Sequence, residues 1–354
     1  MPSVIPNPGS ADFLNLPEAL KKILRLDKPD LIATIEVGGI DVPVVSIEIT
    51  TTTPQSQHAK QRIPRLIAAA ETGVPSLYII LNRKRGNDGR NYSLGNDLYH
   101  GVNRIRQINN VPVFIYHYPD NNGVPDHDGS FPNQPNLNAP SIQNAFRTID
   151  TLISCKINQQ DINASAWIQA EIQRHQNQGN LANVQIQNFD TLAQINTSDL
   201  GSFLRQNTNM TARRIQQTIN KLPDRISRRN QTIVFRPGGR LFEHANDPYS
   251  GMLAFFDYVF CRTGQGVEDR VKNLIYMPVN TNIHNITDEF CPSGYSNFWQ
   301  NSCPFRRNTV PSVNDQFKIS HHLQYGCVFT KIKPLRILGY FSDMIVFQDS
   351  MLVF

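Results

Sequence analysis

No stretch of this 354-residue chain reaches the roughly eighteen consecutive apolar residues that a bilayer-spanning helix needs, so no helical membrane span is expected. The opening segment, MPSVIPNPGSADF, lacks a basic stretch followed by an apolar run; a secretory signal is not expected there, and the cytoplasm is the expected compartment. Cysteine is scarce. Cys155, Cys261, Cys291, Cys303 and Cys327 make an odd count of five in a long chain, which is not the pattern of a disulfide framework. Cys291, Cys303, His321, His322 and Cys327 contain neither a C-x-x-C pair nor a compact second half-site, so free thiols are expected rather than structural zinc. Internal repeats and heptads are also missing, which excludes solenoids and long coiled coils.

What is present is core-forming material, 40% hydrophobic, sufficient for one large domain or two ordinary ones. The net charge of +5 is modest but unevenly spread. Arg205, Arg213, Arg214, Lys221, Arg225, Arg228, Arg229, Arg236 and Arg240 are opposed within their span only by Asp224. Such a block attracts a polyanion, and arginine suits bidentate contacts to phosphate or guanine. Arg83-Lys84-Arg85, with Arg90 in a Gly/Asn-rich loop, form a second basic group.

Residues 31–37 (LIATIEV) and 42–49 (VPVVSIEI) are rich in Val and Ile and flank Gly38-Gly39, the pattern of a β-hairpin. The turn sets the start of the first strand opposite the end of the second, making Asp30 and Glu48 cross-strand neighbours. Two like charges held together repel unless a cation sits between them, and hard oxygen ligands suit Mg²⁺. Glu48 also lies among Val44, Val45, Ile47 and Ile49, where an unpaired carboxylate is costly to bury. Strict alternation puts Glu36 on the same strand face as Asp30; a solvent-facing residue is the alternative for Glu36.

The surrounding pattern predicts a helix over 16–26 opened by Pro17, the hairpin, a helix over 53–72 with Thr53 as N-cap and Gly73 as stop, a strand over 76–81, a helix over 96–109 and a strand over 111–118. Pro64 should kink or split the second helix. Pro29-Asp30, then Glu48-Ile49-Thr50 across the hairpin, within this order of elements, resembles the PD-(D/E)XK nuclease superfamily, in particular type II restriction endonucleases. The resemblance spans about residues 16–118. It implies an α/β fold with a PD-(D/E)XK-type core, a central mixed β-sheet flanked by helices, plus a mixed α+β C-terminal region.

The resemblance further implies Mg²⁺-dependent hydrolysis of phosphodiester bonds in double-stranded DNA. Asp30 and Glu48 would hold the metal, with the carbonyl of Ile49 as a further ligand and Glu18 and Glu36 as accessory carboxylates. One residue departs from the motif. Family members usually carry Lys two residues after the second carboxylate, and this chain has Thr50, whose hydroxyl brings no positive charge. A replacement is expected from the next helix. On a continuous helical wheel Ala59, Ile63, Leu66, Ile67 and Ala70 share one face with Lys60 at its margin, so Lys60 is the first candidate. Gln57 and Gln61 are the alternatives, and His58 is expected to be solvated.

Residues 119–140 read as a long Pro/Asn/Asp/Gly-rich loop; 142–155 and 164–175 read as helices, 211–222 as a basic helix, and short aromatic-rich segments follow. In the segment HANDPYSGMLAFFDYVFCR, core packing is favoured over a metal site at Asp247 and Asp257. Residues 1–157 are assigned as a nuclease catalytic core, and 158–354 as a helical and β-rich region for DNA binding, target recognition or dimerisation. Expected DNA contacts are Arg83, Lys84, Arg85, Arg213, Arg214, Arg228, Arg229, Arg236 and Arg240. The implied partners are duplex DNA, a second copy of the chain, and a cognate DNA methyltransferase encoded nearby. A repair or mobile-element nuclease, or an inactive nuclease fold that binds nucleic acid, is the alternative.

Overall fold

The computed structural model describes residues 5–6, 11–50, 56–85, 89–118, 120–121, 124–125, 135–238, 247–279, 333–349 and 351–354. They divide into two compact units, Met1–Val184 and Gln185–Phe354. The chain is mixed α/β, with a mixed sheet in each unit.

In the first unit a short α1 (Ala11–Leu14) precedes α2 (Glu18–Leu26), β1 (Leu31–Val37), β2 (Ile40–Thr50), α3 (Ser56–Lys60), α4 (Ile63–Ala70) and β3 (Ser76–Leu81). Then come β4 (Arg83–Arg85), β5 (Asn91–Ser93), α5 (Asn96–Asn109), β6 (Val113–Tyr118), the two-residue strands β7 (Asp120–Asn121) and β8 (Val124–Pro125), α6 (Pro140–Ile157) and α7 (Ala166–Asn180). The sheet order is β1-β2-β3-β6. β1 and β2 are antiparallel, and β3 and β6 join parallel to β2.

The hairpin turn is tight because Gly38 and Gly39 take φ of +61° and +79°, a region that L side chains resist. Between Ala33 and Thr34 the register shifts, so that Ala33 faces Val45 and Thr34 faces Pro43, leaving Val44 as the extra residue of a bulge. Pro43, which has no N–H for the ladder, is tolerated beside such an irregularity. All six residues of β3 are buried, as expected of a parallel strand covered on both faces. Val45, Ile47, Leu77, Ile79, Phe114 and Tyr116 pack under Ile142, Ala145 and Leu152 of α6 and Ile168 and Ile172 of α7. Tyr78 points to the opposite face, where its hydroxyl donates to Ala59 O at 3.2 Å. The first unit therefore runs to Val184, past the boundary of 157 drawn from sequence, because α7 packs on this sheet.

The helix expected over 53–72 is two helices, broken at Gln61–Arg62. Pro64 sits in the first turn of α4, where its missing N–H breaks no helical bond. Gly73 follows at φ +77°, and the expected N-cap Thr53 lies outside the described residues.

The second unit contains β9 (Leu192–Asn196), α8 (Leu200–Asn207), α9 (Ala212–Ile219), α10 (Asp224–Ser227), β10 (Gln231–Phe235), α11 (Asp247–Phe256), β11 (Asn273–Tyr276), α12 (Lys333–Phe341), β12 (Met344–Val346) and β13 (Met351–Val353). Its sheet order is β13-β12-β11-β10-β9, with the three inner strands parallel and both edges antiparallel. Met252, Leu253, Phe255 and Phe256 of α11 are buried. Asp257 is fully buried too, held by Arg262 Nε at 2.6 Å and Arg270 Nε at 2.7 Å; an ion-pair network takes up this carboxylate. The side chain of Asp247 lies outside the described residues, as do Cys291, Cys303, His321, His322 and Cys327.

Candidate functional site

The hairpin register pairs Leu31 with Ile47, which brings Asp30 opposite Glu48 at the open end. The backbone N–H of Asp30 donates to Glu48 Oε2 at 3.1 Å, and Ile49 N–H donates to Asp30 Oδ2 at 2.9 Å. Each carboxylate thus spends one oxygen closing the hairpin mouth. The other two, Asp30 Oδ1 and Glu48 Oε1, converge on a single atom, Nη1 of Arg65, at 3.1 Å from Asp30 and in a short hydrogen bond with Glu48.

Arg65 comes from α4. One turn earlier, Arg62 at the N-cap of that helix places Nε 3.1 Å from Glu48 Oε1; residues three apart on a helix share a side. Arg65 Nε lies 3.5 Å from Oδ2 of Asp27, a buried carboxylate just past α2. Three acids and two guanidiniums therefore meet at the carboxyl-terminal side of β2.

Burial sets the electrostatics. The Glu48 side chain is 1% exposed and that of Asp30 is 43% exposed. Desolvation pushes the Glu48 carboxyl up to about 7, aided by the charge of Asp30 and opposed by the hydrogen bond and charge of Arg65 and by the charge of Arg62. Burial works against the Arg65 charge, yet the Glu48 hydrogen bond and the charges of Asp27, Glu48 and Asp30 raise its pKa above the ordinary arginine value. Nearby, burial and then the Asp30 charge push the Tyr118 phenol up to about 12.

Lys60 is elsewhere. Its ammonium is fully buried and lies 2.6 Å from Asp97 Oδ2 in the first turn of α5, so the expected partnership of Lys60 with the carboxylates is corrected to one with Asp97. The break between α3 and α4 is the reason, since a wheel drawn through it has the wrong phase. Gln61 is buried with Nε2 3.5 Å from Thr50 Oγ1. The Gln57 side chain lies outside the described residues, and His58 is exposed. Glu18 pairs with Lys21 and Arg25 on α2. Glu36 faces Asp41 beside the turn, about 20 Å along the strand from Asp30, which separates it from the site.

Among the basic residues, Arg229 is a correction. It is buried, donating through Nη1 to Asp343 Oδ1 at 2.9 Å and Asn273 Oδ1 at 3.2 Å, and a guanidinium used in this way cannot reach a phosphate. Arg214 is half-buried and donates to Asp349 O at 2.9 Å. Arg213, Arg228 and Arg236 are exposed, with Arg228 paired to Asp224. The backbone of Arg83–Arg85 forms β4 against β5; the side chains of Arg83, Lys84 and Arg85 lie outside the described residues, as does Arg240.

Sequence reasoning missed Asp27, Arg62 and Arg65. Their available signal was the Arg62-x-x-Arg65 spacing behind the helix break, which turns both guanidiniums one way.

The donor set can be weighed against a divalent cation. Among the described residues no group of three or more His, Cys, Asp and Glu side chains is arranged to hold a metal ion. Two hard carboxylate oxygens do converge on one point, and Mg²⁺ accepts one or two carboxylates with water completing its shell. Asp30 Oδ1 and Glu48 Oε1 fit that pattern; Arg65 Nη1 holds their meeting point in this structure. No protein-family model, curated protein or solved structure matches the chain.

Proposed function

We propose that the first unit is a Mg²⁺-dependent endonuclease core acting on double-stranded DNA in the manner of a type II restriction enzyme. The observation that carries the reading is the convergence of Asp30 Oδ1 and Glu48 Oε1 on one cation-occupied point at the end of a mixed sheet. Asp30 and Glu48 would hold the metal, with the Ile49 carbonyl beside them. When bound, Mg²⁺ lowers the pKa of a coordinated water and offsets charge developing on the phosphate. Arg62, with one side of its guanidinium on Glu48, keeps that carboxylate oriented. The exposed Arg213, Arg228 and Arg236 supply charge for the DNA backbone.

The test is plasmid cleavage with Mg²⁺. Discrete fragments are expected, and Asp30→Ala and Glu48→Ala should each slow cutting by about a hundredfold or more while DNA binding in Ca²⁺ persists. Unimpaired cutting by either variant would sink the assignment.

A second reading, a nucleic-acid-binding protein on an inactive nuclease fold, is favoured by two features: Thr50 at the usual lysine position and a guanidinium at the metal point. It predicts plasmid bound and uncut in the same assay.

A further inference from the structure

We infer that Arg65 is a displaceable counter-ion: its guanidinium and a divalent cation compete for the same two carboxylate oxygens, and the arginine so released turns to the substrate phosphate. The inference rests on the metal-dependent reading above, and its first half concerns binding alone.

The oxygens leave little choice. Asp30 Oδ2 is committed to Ile49 N–H and Glu48 Oε2 to Asp30 N–H; the two remaining oxygens are those Arg65 Nη1 holds. A Mg²⁺ ion lies about 2.0–2.1 Å from its oxygen ligands, so it cannot share that point with a nitrogen. Arg62 approaches Glu48 with Nε 3.1 Å from Oε1. Arg65 has somewhere to be held when Nη1 departs, because its Nε already lies 3.5 Å from Asp27 Oδ2.

Charge balance agrees. Asp27, Asp30 and Glu48 contribute three negative charges when ionised, and Arg62 and Arg65 contribute two positive ones. Among the described residues the fully ionised cluster is thus one negative charge in excess. Exchange of the Arg65 contact for a divalent ion leaves one positive charge in excess, which a single phosphodiester neutralises. A guanidinium freed beside the metal offers that phosphate a planar fork of donors. The chain thus carries, in the first turn of α4, the positive charge that Thr50 cannot provide.

The experiment is calorimetric titration of the full chain with MnCl₂ and MgCl₂, comparing wild type, Arg65→Ala, Arg65→Gln and Asp30→Asn. Removal of the competing charge should tighten Mn²⁺ binding by about tenfold or more in Arg65→Ala, and Asp30→Asn should weaken it. Arg65→Gln keeps a donor without the charge and serves where Arg65→Ala does not fold, as judged by its melting curve. Mn²⁺ binding that is unchanged or weaker in the folded Arg65 variant overturns the competition. At saturating metal the Arg65 variants should cut more slowly than wild type; equal rates overturn the phosphate contact. If wild type binds Mn²⁺ and Arg65→Ala binds it more tightly, but neither cuts DNA, the nuclease reading fails and the competition stands. If none of the proteins binds either metal at millimolar concentration, the metal-dependent reading fails and the competition with it.

Discussion

Lys60 Nζ lies 2.6 Å from Asp97 Oδ2, with the lysine side chain 1% exposed and the aspartate 27% exposed. Burial lowers the lysine pKa and the Asp97 charge and hydrogen bond raise it, so the pair is a mutual dependence within the fold that ties α3 to α5. Removing one member of a buried ion pair costs about 3–5 kcal/mol, whereas replacing both by apolar groups of similar size is often neutral. We therefore expect Asp97→Ala and Lys60→Ala each to lower stability in urea denaturation, and Lys60→Met with Asp97→Leu to recover most of the loss. Cutting per folded molecule should be unchanged in Lys60→Ala; a hundredfold loss without unfolding would return Lys60 to the reaction.

His175 supplies the pH dependence. It is buried, accepts from Ile115 N–H at Nε2 (2.6 Å) and meets Glu171 O through Nδ1 (2.7 Å), an arrangement that a neutral ring satisfies. Burial, then the charge of Arg174, pushes its pKa down from 6.5 to about 4. The unfolded chain thus binds more protons between those values, so the stability due to this group is complete above about pH 6.5 and is lost as the pH falls to about 4. The loss is on the order of 3 kcal/mol. His175→Gln should flatten the stability profile across that window; an unchanged slope would assign the acid sensitivity to other groups.

Arg229 and Arg213 belong to the same basic block and should behave oppositely. Arg229→Ala leaves Asp343 buried without one of its guanidiniums, and a stability loss of about 3 kcal/mol is expected. Arg213→Ala or Arg236→Ala, at exposed positions, should leave stability within about 0.5 kcal/mol. Each should also reduce the salt dependence of DNA binding by about one ion. Fluorescence anisotropy across a KCl series reads both, and salt slopes equal to wild type would remove these arginines from the interface.

Gly39 takes φ +79° with open space where a Cβ would stand, so Gly39→Ala tests backbone strain alone. A loss of about 1 kcal/mol in thermal or urea unfolding is expected. No loss would mean that the turn relaxes to another type.

The hairpin was legible because its signals are local: β-branched runs, a Gly-Gly turn, and a register that counts outward from that turn to Asp30 and Glu48. Pro64 foretold the helix break for the same reason. The break itself hid the rest. A helix interrupted at Gln61–Arg62 changes the direction of everything after it, which carried Arg65 to the carboxylates and left Lys60 inside against Asp97. Asp97 is remote in sequence and no periodicity announces it. Arg228 and Arg229 make the same point, since adjacent side chains leave the chain in different directions, one to solvent and one to Asp343. Composition alone cannot divide a basic block in this way.

The strand order has a consequence for synthesis. All four strands of the first sheet exist once Tyr118 has been made, whereas β12 must lie between β11 and β13 to complete the second. Asp343, which accepts from Leu274 N–H and Arg229, arrives just ahead of β12. During translation the first unit can assemble its sheet early, while β9, β10 and β11 must wait for a distant segment with one edge open. Such a waiting edge is where a nascent chain is most exposed to wrong pairing, so shielding by a chaperone should matter for the second unit well after the first has its strands in place.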